Sequence, residues 1–377
     1  MQCDYFDAGR CRSCTLMGTP YAEQLAEKAA RAVQRLADVA PGLHWLEPGP
    51  SAESHYRNKA KLVVAGVAGT PTFGILDERG RGVDLQRCGL YEPGLAAIFE
   101  PLHRFVSRIG IEPYDVPARR GELKHVIATH SPRGEHLIRF VVRSAESVEL
   151  LRGEVPALRA TLPSARVVTA NVLPEHKAVL EGDLEVPLTD QVLLPMPVGD
   201  VTLLLGPRAF FQTNSRVAAA LYRQARDWVD LVSPSTVWDL YCGVGGFALH
   251  LEAPGRRVVG VETSSSAVEA ARAAHALTGT ESHTGTVEFV VGDATADSPP
   301  GPAPDLVVVN PPRRGIGAAL ADRIEASSAS HVVYSSCNVD SLARDLARMP
   351  SWHPREARLF DIFPQTAHQE VMVLLQR

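Results

Sequence analysis

The stretch DLYCGVGGF, residues 239–247, decides how the second half of this chain is expected to fold. It joins an apolar, strand-like run to a helix-like run, and Gly243, Gly245 and Gly246 allow the backbone to bend sharply and approach a ligand closely. The glycine spacing differs from the Gly-x-Gly-x-x-Gly turn of dinucleotide-binding folds and from a phosphate-binding P-loop. The stretch therefore predicts the first strand–turn–helix unit of a parallel sheet with a different ligand.

Alternating strand-like and helix-like segments surround this turn and extend to residue 377. Further strands are predicted at 256–263, 287–294, 305–312, 331–337 and 370–377, helices at 216–232 and 265–279, and a Pro-rich surface loop at 297–305. This alternation is typical of a doubly wound α/β fold. Residues 209–377 are therefore predicted to form a Rossmann-like domain.

The first half of the chain has a different pattern. Short β-rich runs separated by glycine and proline turns predict a mixed α+β domain over residues 55–208, with a largely antiparallel sheet and one helical segment near 93–109. An amphipathic helix is predicted at 20–39. Cysteines concentrated early in the chain mark residues 1–90 as a cysteine-cluster region within this N-terminal domain.

Composition restricts the class of protein. A chain of 377 residues that is 45% hydrophobic can bury a substantial core and form more than one domain. No stretch approaches the ~20 uncharged apolar residues of a membrane-spanning helix, and the first residues lack the pattern of a secretion signal. We therefore expect a soluble, cytoplasmic protein without a membrane partner. The formal net charge of −5 argues against a generic nucleic-acid binder but allows a local basic groove.

Two carboxylates follow the glycine turn at the ends of the next two predicted strands. Glu262 lies where a carboxylate can hold ribose hydroxyls, and Asp293 lies where it can meet an adenine edge. The ordered set of glycine turn, Glu262 and Asp293 resembles the first three motifs of class I S-adenosylmethionine (SAM) methyltransferases. A tight turn beside ordinary solvated carboxylates is the plain alternative, and the order of the three features disfavours it.

Cys337 ends a predicted strand one strand after Asn310. In a parallel sheet both fall at the carboxyl edge, in the crevice that the SAM motifs define. A cysteine there faces the substrate, although free cysteine is most often a core residue. Asn-Pro-Pro also occurs in methyltransferases of exocyclic amines, but Arg313 stands where those carry an aromatic residue. A nucleophilic thiol beside SAM suits pyrimidine carbon-5 methylation, because its addition to carbon 6 makes carbon 5 a nucleophile.

Five segments together resemble the uracil-C5 RNA methyltransferases, in the family's order along the C-terminal half. They are FFQTN (210–214), DLYCGVGGF (239–247), VNPPRRG (309–315), VYSSCN (333–338) and DIFPQTAHQEVMVLL (361–375). The resemblance implies that Cys337 is the nucleophile and that Glu370 is the base that removes the carbon-5 proton. The SAM-contacting positions that it implies are Gln212, Tyr241, Glu262, Asp293 and Asn310. Asn310 departs from the aspartate of many members, and a solvated strand-edge carboxylate is the plain alternative for Glu370.

Cys3, Cys11, Cys14 and Cys88 form a possible four-thiolate set. Their spacing alone accepts either tetrahedral zinc or an iron–sulfur cluster, since both use all-thiolate coordination. Resemblance to the ribosomal-RNA members of the family implies a [4Fe–4S] cluster with a structural or RNA-positioning role. Cys242, within the glycine turn, is interpreted as a packing residue.

The first cysteine is residue 3, so we expect no TRAM RNA-binding barrel, the domain that longer members carry before the cysteines. The resemblance is therefore to the TRAM-less type that methylates uridine 747 of 23S ribosomal RNA, with a hairpin-loop uridine as substrate and no obligate protein partner. A flipped base leaves a loop at less cost than it leaves a duplex. The alternatives are a transfer-RNA uracil-C5 methyltransferase and a non-catalytic RNA-binding or metal-sensing protein on a degenerate fold.

Basic residues in three places are candidates for phosphate contacts, which would position RNA without reading its sequence. They are Arg57, Lys59 and Lys61, then Arg119, Arg120 and Lys124, and finally Arg313 and Arg314. The last two are favoured because they lie beside the predicted active site, whereas a charge cluster elsewhere is usually a solvated face.

Overall fold

The computed structural model describes residues 1–177, 179–277, 285–296, 299 and 301–377. The end of the helix predicted to reach residue 279 and part of the loop predicted at 297–305 lie outside this description. The chain divides into two compact units, one of Met1–Met17 with Glu53–Met196 and the other of Gly18–Ala52 with Pro197–Arg377. In the described part of the chain, no helix has both the length and the apolar character needed to cross a membrane.

The helices and strands, in chain order, have the following bounds. The helices are α1 (Asp4–Asp7), α2 (Tyr21–Leu36), α3 (Pro93–Ala96), α4 (Phe99–Ile109), α5 (Ala145–Thr161), α6 (Ser215–Val232), α7 (Gly246–His250), α8 (Ser265–Leu277), α9 (Gly317–Ala326) and α10 (Val339–Leu346). The strands are β1 (His44–Trp45), β2 (Lys59–Val67), β3 (Thr70–Leu76), β4 (Gly82–Asp84), β5 (Leu123–His130), β6 (His136–Val142), β7 (Ala165–Val172), β8 (Leu184–Pro187), β9 (Leu194–Val198), β10 (Val201–Leu205), β11 (Thr236–Leu240), β12 (Arg257–Glu262), β13 (Thr286–Val291), β14 (Leu306–Val309), β15 (His331–Ser336), β16 (His353–Phe360) and β17 (Glu370–Gln376).

The first unit contains a seven-stranded sheet in the order β4-β3-β2-β5-β6-β7-β8. Its strand pairs are antiparallel except for β6 and β7, so the largely antiparallel sheet predicted from the sequence is present. Apolar side chains of α4 and α5 pack with those of the central strands in one core. Alternate strand residues supply this core because successive side chains point to opposite faces of a sheet.

The expectation of a single helical segment in this region was wrong. Besides α3 and α4, which occupy the predicted 93–109 segment, α5 runs from Ala145 to Thr161. Ser144 caps it by accepting a hydrogen bond from the Ser147 backbone, and Leu151, Val155 and Leu158 are buried beneath it. Gly153 and Pro156 weaken the helical pattern of this segment in the sequence. Because β6 and β7 are parallel neighbours, the chain needs a crossover connection between them, and α5 provides it.

The second unit contains an eight-stranded sheet in the order β1-β16-β17-β15-β14-β11-β12-β13. The pairs from β13 through β12, β11 and β14 to β15 are parallel, which confirms the doubly wound fold. The C-terminal strand β17 runs antiparallel to both of its neighbours, β15 and β16. Its amino end therefore lies at the edge where the parallel strands have their carboxyl ends.

Residues 18–52 belong to the second unit, whereas the sequence placed them with the N-terminal cysteine region at 1–90. The buried face of α2, with Ala32 and Leu36, shares a core with Leu342 and Leu346 of α10. The later boundary also differs, because the second unit resumes at Pro197 instead of residue 209. An amphipathic pattern predicts that a helix has a buried face but does not identify the partner that buries it.

Candidate active site at the carboxyl edge of the sheet

Cys337 and Glu370 occupy adjacent positions on neighbouring strands. Cys337 is the residue after the end of β15, and Glu370 is the first residue of β17. Ser336 pairs with Val371 in the antiparallel ladder, so Cys337 and Glu370 are the next two residues to face each other across the strands. The structure thus brings together the two residues that the family resemblance named as nucleophile and base.

Glu370 is held in a buried site. Its side chain is 2% exposed, and Ser335 Oγ donates a hydrogen bond of 2.5 Å to its Oε1 atom. Burial raises the pKa of this carboxyl to about 7, against the lowering effect of the Ser335 hydrogen bond. A carboxyl of this kind exchanges a proton near neutral pH, which is the property required of a general base.

Cys337 is half-buried, between β15 and α10. The pKa of its thiol is raised, first by burial and then by the nearby Glu370 charge, and the charge of the Arg313 guanidinium partly offsets this rise. Asn338 follows directly, caps α10 and donates from Nδ2 to the Arg313 carbonyl at 3.0 Å. The cap therefore ties the loop that carries Arg313 to the residue beside the thiol.

The Arg313 loop has a second anchor that sequence reasoning missed. Asp345 of α10 accepts hydrogen bonds at Oδ2 from the Ile316 backbone at 2.9 Å and from Tyr334 Oη at 2.6 Å. The carboxylate lies deep in the unit, with 5% exposure. Its position depends on contacts between distant parts of the chain, so no local sequence signal identifies it.

The glycine turn links β11 to α7 and meets the end of β12. Gly243 N donates to Glu262 Oε2 at 3.2 Å, so the turn and the carboxylate expected to hold the ribose form one structure. Gly245 has a φ of +84°, a backbone conformation that favours glycine, and the adjacent Tyr241 adopts a φ of +68° despite its side chain. An unusual backbone at a strand end beside a turn is a common feature of ligand sites.

Two of the remaining predicted SAM contacts, Asn310 and Asp293, lie at or near the same edge. Asn310 follows β14 directly, and Asp293 follows β13, where Thr295 donates to it from its backbone and its hydroxyl. These hydrogen bonds, with smaller contributions from Arg314 and Arg323, keep the pKa of Asp293 below its usual value. Gln212 is buried in the segment between β10 and α6, so it does not follow any of the parallel strands of the sheet.

Comparison with known proteins identifies the family. The chain is 42% identical over 379 residues to the 23S rRNA (uracil(747)-C(5))-methyltransferase RlmC of Serratia proteamaculans, and 45% identical over 384 residues to that of Halothiobacillus neapolitanus, with 100% of each chain covered. The chain belongs to the RlmC family of RNA uracil-C5 methyltransferases. The family resemblance inferred from the sequence is thereby confirmed, and the chain is a SAM-dependent methyltransferase.

Two further similarities agree with RlmC family membership. Residues 303–377 match the tRNA (Uracil-5-)-methyltransferase family, and residues 229–333 match the methyltransferase small domain. The fold is similar to that of Pyrococcus abyssi tRNA (uracil-54, C5)-methyltransferase in complex with S-adenosyl-L-homocysteine, with a TM-score of 0.78 and 25% identity. That similarity covers 96% of this chain and 85% of the archaeal one.

In the first unit, the four N-terminal cysteines line one cavity. Cys3, Cys11, Cys14 and Cys88 share its wall with Arg57, and its volume is about 130 Å³. Burial, together with the neighbouring thiols, raises the pKa of Cys14 to about 11, and burial also raises the pKa of Cys88. In the part of the chain that the structure describes, no three Cys, His, Asp or Glu side chains are arranged to hold a single metal ion.

The structure changes the interpretation of two basic residues that were candidates for phosphate contacts. Lys124 is 5% exposed; its Nζ donates to the Glu175 carbonyl at 2.6 Å and lies 4.6 Å from the centre of the Tyr114 ring. Lys124 is therefore a buried structural residue and not an exposed phosphate contact. Arg57 lines the cysteine cavity, and its charge partly offsets the burial that raises the pKa values of Cys14 and Cys88.

Proposed function

We propose that this chain methylates carbon 5 of uridine 747 in 23S ribosomal RNA through a covalent bond between Cys337 and carbon 6 of the uracil. The observation that carries the proposal is the adjacency of Cys337 and Glu370 at the end of β15 and the start of β17. It supplies a nucleophile and a base at one edge of a SAM-binding sheet. The full-length relatives supply the expected substrate, since both are named for uracil 747.

The first half of the reaction makes carbon 5 reactive. The Cys337 thiolate adds to carbon 6, and the electrons of the carbon 5–carbon 6 double bond move toward the carbon-4 oxygen to form an enolate. Arg313 supports this step, because its guanidinium favours the thiolate form of Cys337. Carbon 5 then takes the methyl group from the sulfonium of SAM, and S-adenosylhomocysteine leaves.

The second half restores the aromatic ring. Carbon 5 now carries both a hydrogen and a methyl group, and Glu370 removes the proton. The electrons of that bond re-form the carbon 5–carbon 6 double bond and expel the Cys337 thiolate. A carboxyl whose pKa is about 7 suits this task, because a useful fraction is ionised at neutral pH while the base remains strong.

Ser335→Ala tests how the base is tuned. Loss of its hydrogen bond removes an interaction that favours ionised Glu370, so the pH at which product release becomes half-maximal should rise by about one unit. The measurement is single-turnover product release between pH 6 and pH 9. Ser330→Ala, just before the opposite end of β15, is the matched control. An unchanged pH profile in Ser335→Ala would contradict this account of Glu370.

SAM is proposed to lie along the carboxyl edge, against Tyr241, Glu262, Asp293 and Asn310. Glu262 already accepts a hydrogen bond from the glycine turn and would hold the ribose, while Asp293 would meet the adenine. Gln212 is retained as a further contact on the strength of the family resemblance. Asn310, being neutral, would contribute hydrogen bonds without charge.

The RNA is proposed to present its uridine from a hairpin loop. Arg313 and Arg314 are exposed beside the site and would contact its phosphates. Phe210, which is 75% exposed and begins the segment FFQTN, offers a ring on which an unstacked base could pack. No obligate protein partner is proposed, and ribosomal RNA as substrate is consistent with action in the cytoplasm.

Methyl transfer from labelled SAM to unmodified RNA tests the function directly. We expect label in 23S ribosomal RNA at one position, uridine 747, identified by mass spectrometry of nuclease fragments. Label only in transfer RNA would support the alternative substrate suggested by the tRNA family match and the archaeal structure. No label in either RNA would support a non-catalytic RNA-binding protein.

The four-cysteine cavity is proposed to hold a [4Fe–4S] cluster through Cys3, Cys11, Cys14 and Cys88. All four ligands are thiols, and the cavity volume of about 130 Å³ is roughly ten times the 10–15 Å³ that one water needs, which suits a group of several atoms. When bound, the cluster would supply cross-links between α1, the segment after it and Cys88. The thiols would organise this part of the first unit, and the methylation steps above need no electron transfer.

Anaerobically purified protein is expected to contain about four iron atoms and acid-labile sulfide per chain. Cys88→Ala should lose most of both and should lower the melting temperature of the first unit. Cys242→Ala removes a buried thiol of the second unit and should keep the iron. One zinc atom per chain with no sulfide would contradict the cluster.

A further inference from the structure

Helix α2 makes a buried ionic contact with the loop that precedes Glu370. This loop, residues 361–369, joins β16 to β17. Lys28 of α2 donates from Nζ to Asp361 Oδ1 at 2.7 Å and to the Phe363 carbonyl at 3.1 Å. Both charged side chains have 0% exposure. A buried pair of this kind is sensitive to the removal of one partner, because the other charge is left without compensation.

A second contact lies one helical turn earlier. Gln24 accepts a hydrogen bond at Oε1 from the Gln365 backbone N–H at 3.0 Å, and its Nε2 donates to Gln365 Oε1, also at 3.0 Å. Gln365 is 1% exposed and has a φ of +66°, in the left-handed region that L-residues other than glycine rarely adopt. Such a conformation costs of order 1–3 kcal/mol and persists only where surrounding contacts enforce it. Gln24 supplies those contacts at both the backbone and the side chain.

The spacing of these residues puts them on one face of the helix. Gln24 and Lys28 are four residues apart, and Arg31, three residues further, donates from Nη2 to the Ala367 carbonyl at 3.4 Å. We call Gln24, Lys28 and Arg31 the α2 clamp. It contacts every second residue of the first part of the 361–369 loop, namely Asp361, Phe363, Gln365 and Ala367.

The clamped loop reaches the site of the reaction. Glu370 follows the loop directly, and its partner across the strands is Phe360, which precedes the loop. His368 lies near the C-terminal end of the loop, two residues before Glu370. Burial and the nearby charges of Arg313 and Lys28 lower its pKa. His368 thus lies within electrostatic range of Arg313, the arginine whose charge also acts on Cys337. The loop is therefore continuous with the base, and its last residues lie among the charges that surround the nucleophile.

We propose that the α2 clamp positions Glu370 for removal of the carbon-5 proton, by holding the 361–369 loop in its strained conformation. The inference rests on the proposed role of Glu370 as the base. Lys28 and Gln24 are positioning residues, since both have 0% exposure and act through the loop. A segment from the N-terminal part of the chain thereby controls one step of the reaction, the release of the methylated RNA.

The test separates adduct formation from adduct release in Lys28→Met. A 23S ribosomal RNA fragment that contains the target uridine and labelled SAM are mixed with enzyme in single-turnover experiments, and the covalent protein–RNA adduct is followed on denaturing gels. Adduct formation should stay within about threefold of wild type, whereas release should slow by roughly ten- to a hundredfold, as expected for misplacement of a catalytic group. A methyl-labelled adduct should therefore accumulate.

Two further variants keep the test decisive. Arg256→Met is the matched control, since Arg256 is also a buried cation that binds a carboxylate and a carbonyl, those of Asp230 and Leu251. It should destabilise the same unit without slowing release. Gln24→Ala leaves the Lys28–Asp361 pair intact and should also slow release, so it decides the question if Lys28→Met does not fold. Release at the wild-type rate in the folded clamp variants would overturn the proposal, as would equal slowing in Arg256→Met.

Glu370→Gln, measured in parallel, distinguishes failure of the clamp from failure of the base assignment. If Glu370→Gln traps the adduct while the folded clamp variants release RNA normally, the clamp proposal alone is wrong. If Glu370→Gln also releases RNA normally, the base role is wrong and the clamp proposal falls with it.

Discussion

Cys337→Ala should abolish methylation, with a loss of at least ~10⁴-fold in turnover, the scale seen when a covalent nucleophile is removed. Without the sulfur, no bond forms at carbon 6 and carbon 5 stays too weak a nucleophile to attack the sulfonium. The variant should still bind SAM, because the glycine turn and Glu262 are held together independently of the thiol. Methyl transfer to 23S ribosomal RNA and SAM binding by calorimetry measure the two effects separately.

Cys337→Ser provides the graded comparison for this prediction. A hydroxyl matches the thiol closely in shape but is far less ionised at neutral pH, so this variant should be almost as inactive as the alanine variant. Neither variant should show a covalent RNA adduct on denaturing gels. Turnover of Cys337→Ala within tenfold of wild type would refute the covalent mechanism, together with the role assigned to Glu370.

Glu370→Gln should have the second-largest effect and a different signature. The amide keeps the size of the side chain but cannot accept the carbon-5 proton, so addition and methyl transfer proceed while elimination stops. Product release should fall by roughly 10²–10⁴-fold, the usual contribution of a general base. The enzyme should accumulate as a covalent complex that contains the transferred methyl group, detectable by label on a denaturing gel.

Glu356→Gln is the matched control for this substitution. Glu356 lies on β16 of the same sheet, where it accepts a hydrogen bond from Trp228 Nε1 at 2.8 Å. Its variant should form no long-lived adduct. Normal product release by Glu370→Gln, with only free RNA recovered, would exclude Glu370 as the base.

Glu370→Gln should also change how the free energy of unfolding depends on pH. The pKa of Glu370 is raised from 4.5 to about 7, so its ionisation disfavours the folded state, and stability present below pH 4.5 is lost as the pH rises through 7. Glutamine never ionises, so Glu370→Gln should be more stable than wild type at pH 8, by up to about 3 kcal/mol. Denaturant unfolding at pH 5 and pH 8 measures this difference. A gain in stability with a loss of function is the pattern expected of a residue kept for catalysis.

The local sequence pattern was sufficient to predict much of the second unit. The glycine turn, the strand ends at Glu262 and Asn310, and the place of Cys337 all follow from alternation of strands and helices along the chain. In a parallel sheet such alternation determines which residues share an edge. The structure therefore agrees with the sequence wherever the arrangement is a consequence of short-range order.

Local pattern was insufficient wherever distant segments meet. The apolar face of α2 could be read from the sequence, but its position in the second unit could not, nor could the contacts of Lys28 and Gln24 with the 361–369 loop. The helix α5 was missed because Gly153 and Pro156 interrupt its pattern, while burial of its apolar face stabilises it. Tertiary packing routinely overrides weak local preference in this way.

By itself, the sequence determined the fold class of the second unit and the family, and it supplied the prediction that Cys337 is the nucleophile, since motifs of contiguous residues carry all three. Only the tertiary structure placed Glu370 beside Cys337, because β17 inserts antiparallel between β15 and β16 and so turns its first residue toward the carboxyl edge. Strand order and direction are set by the pairing of segments far apart in the chain. No single segment contains that information.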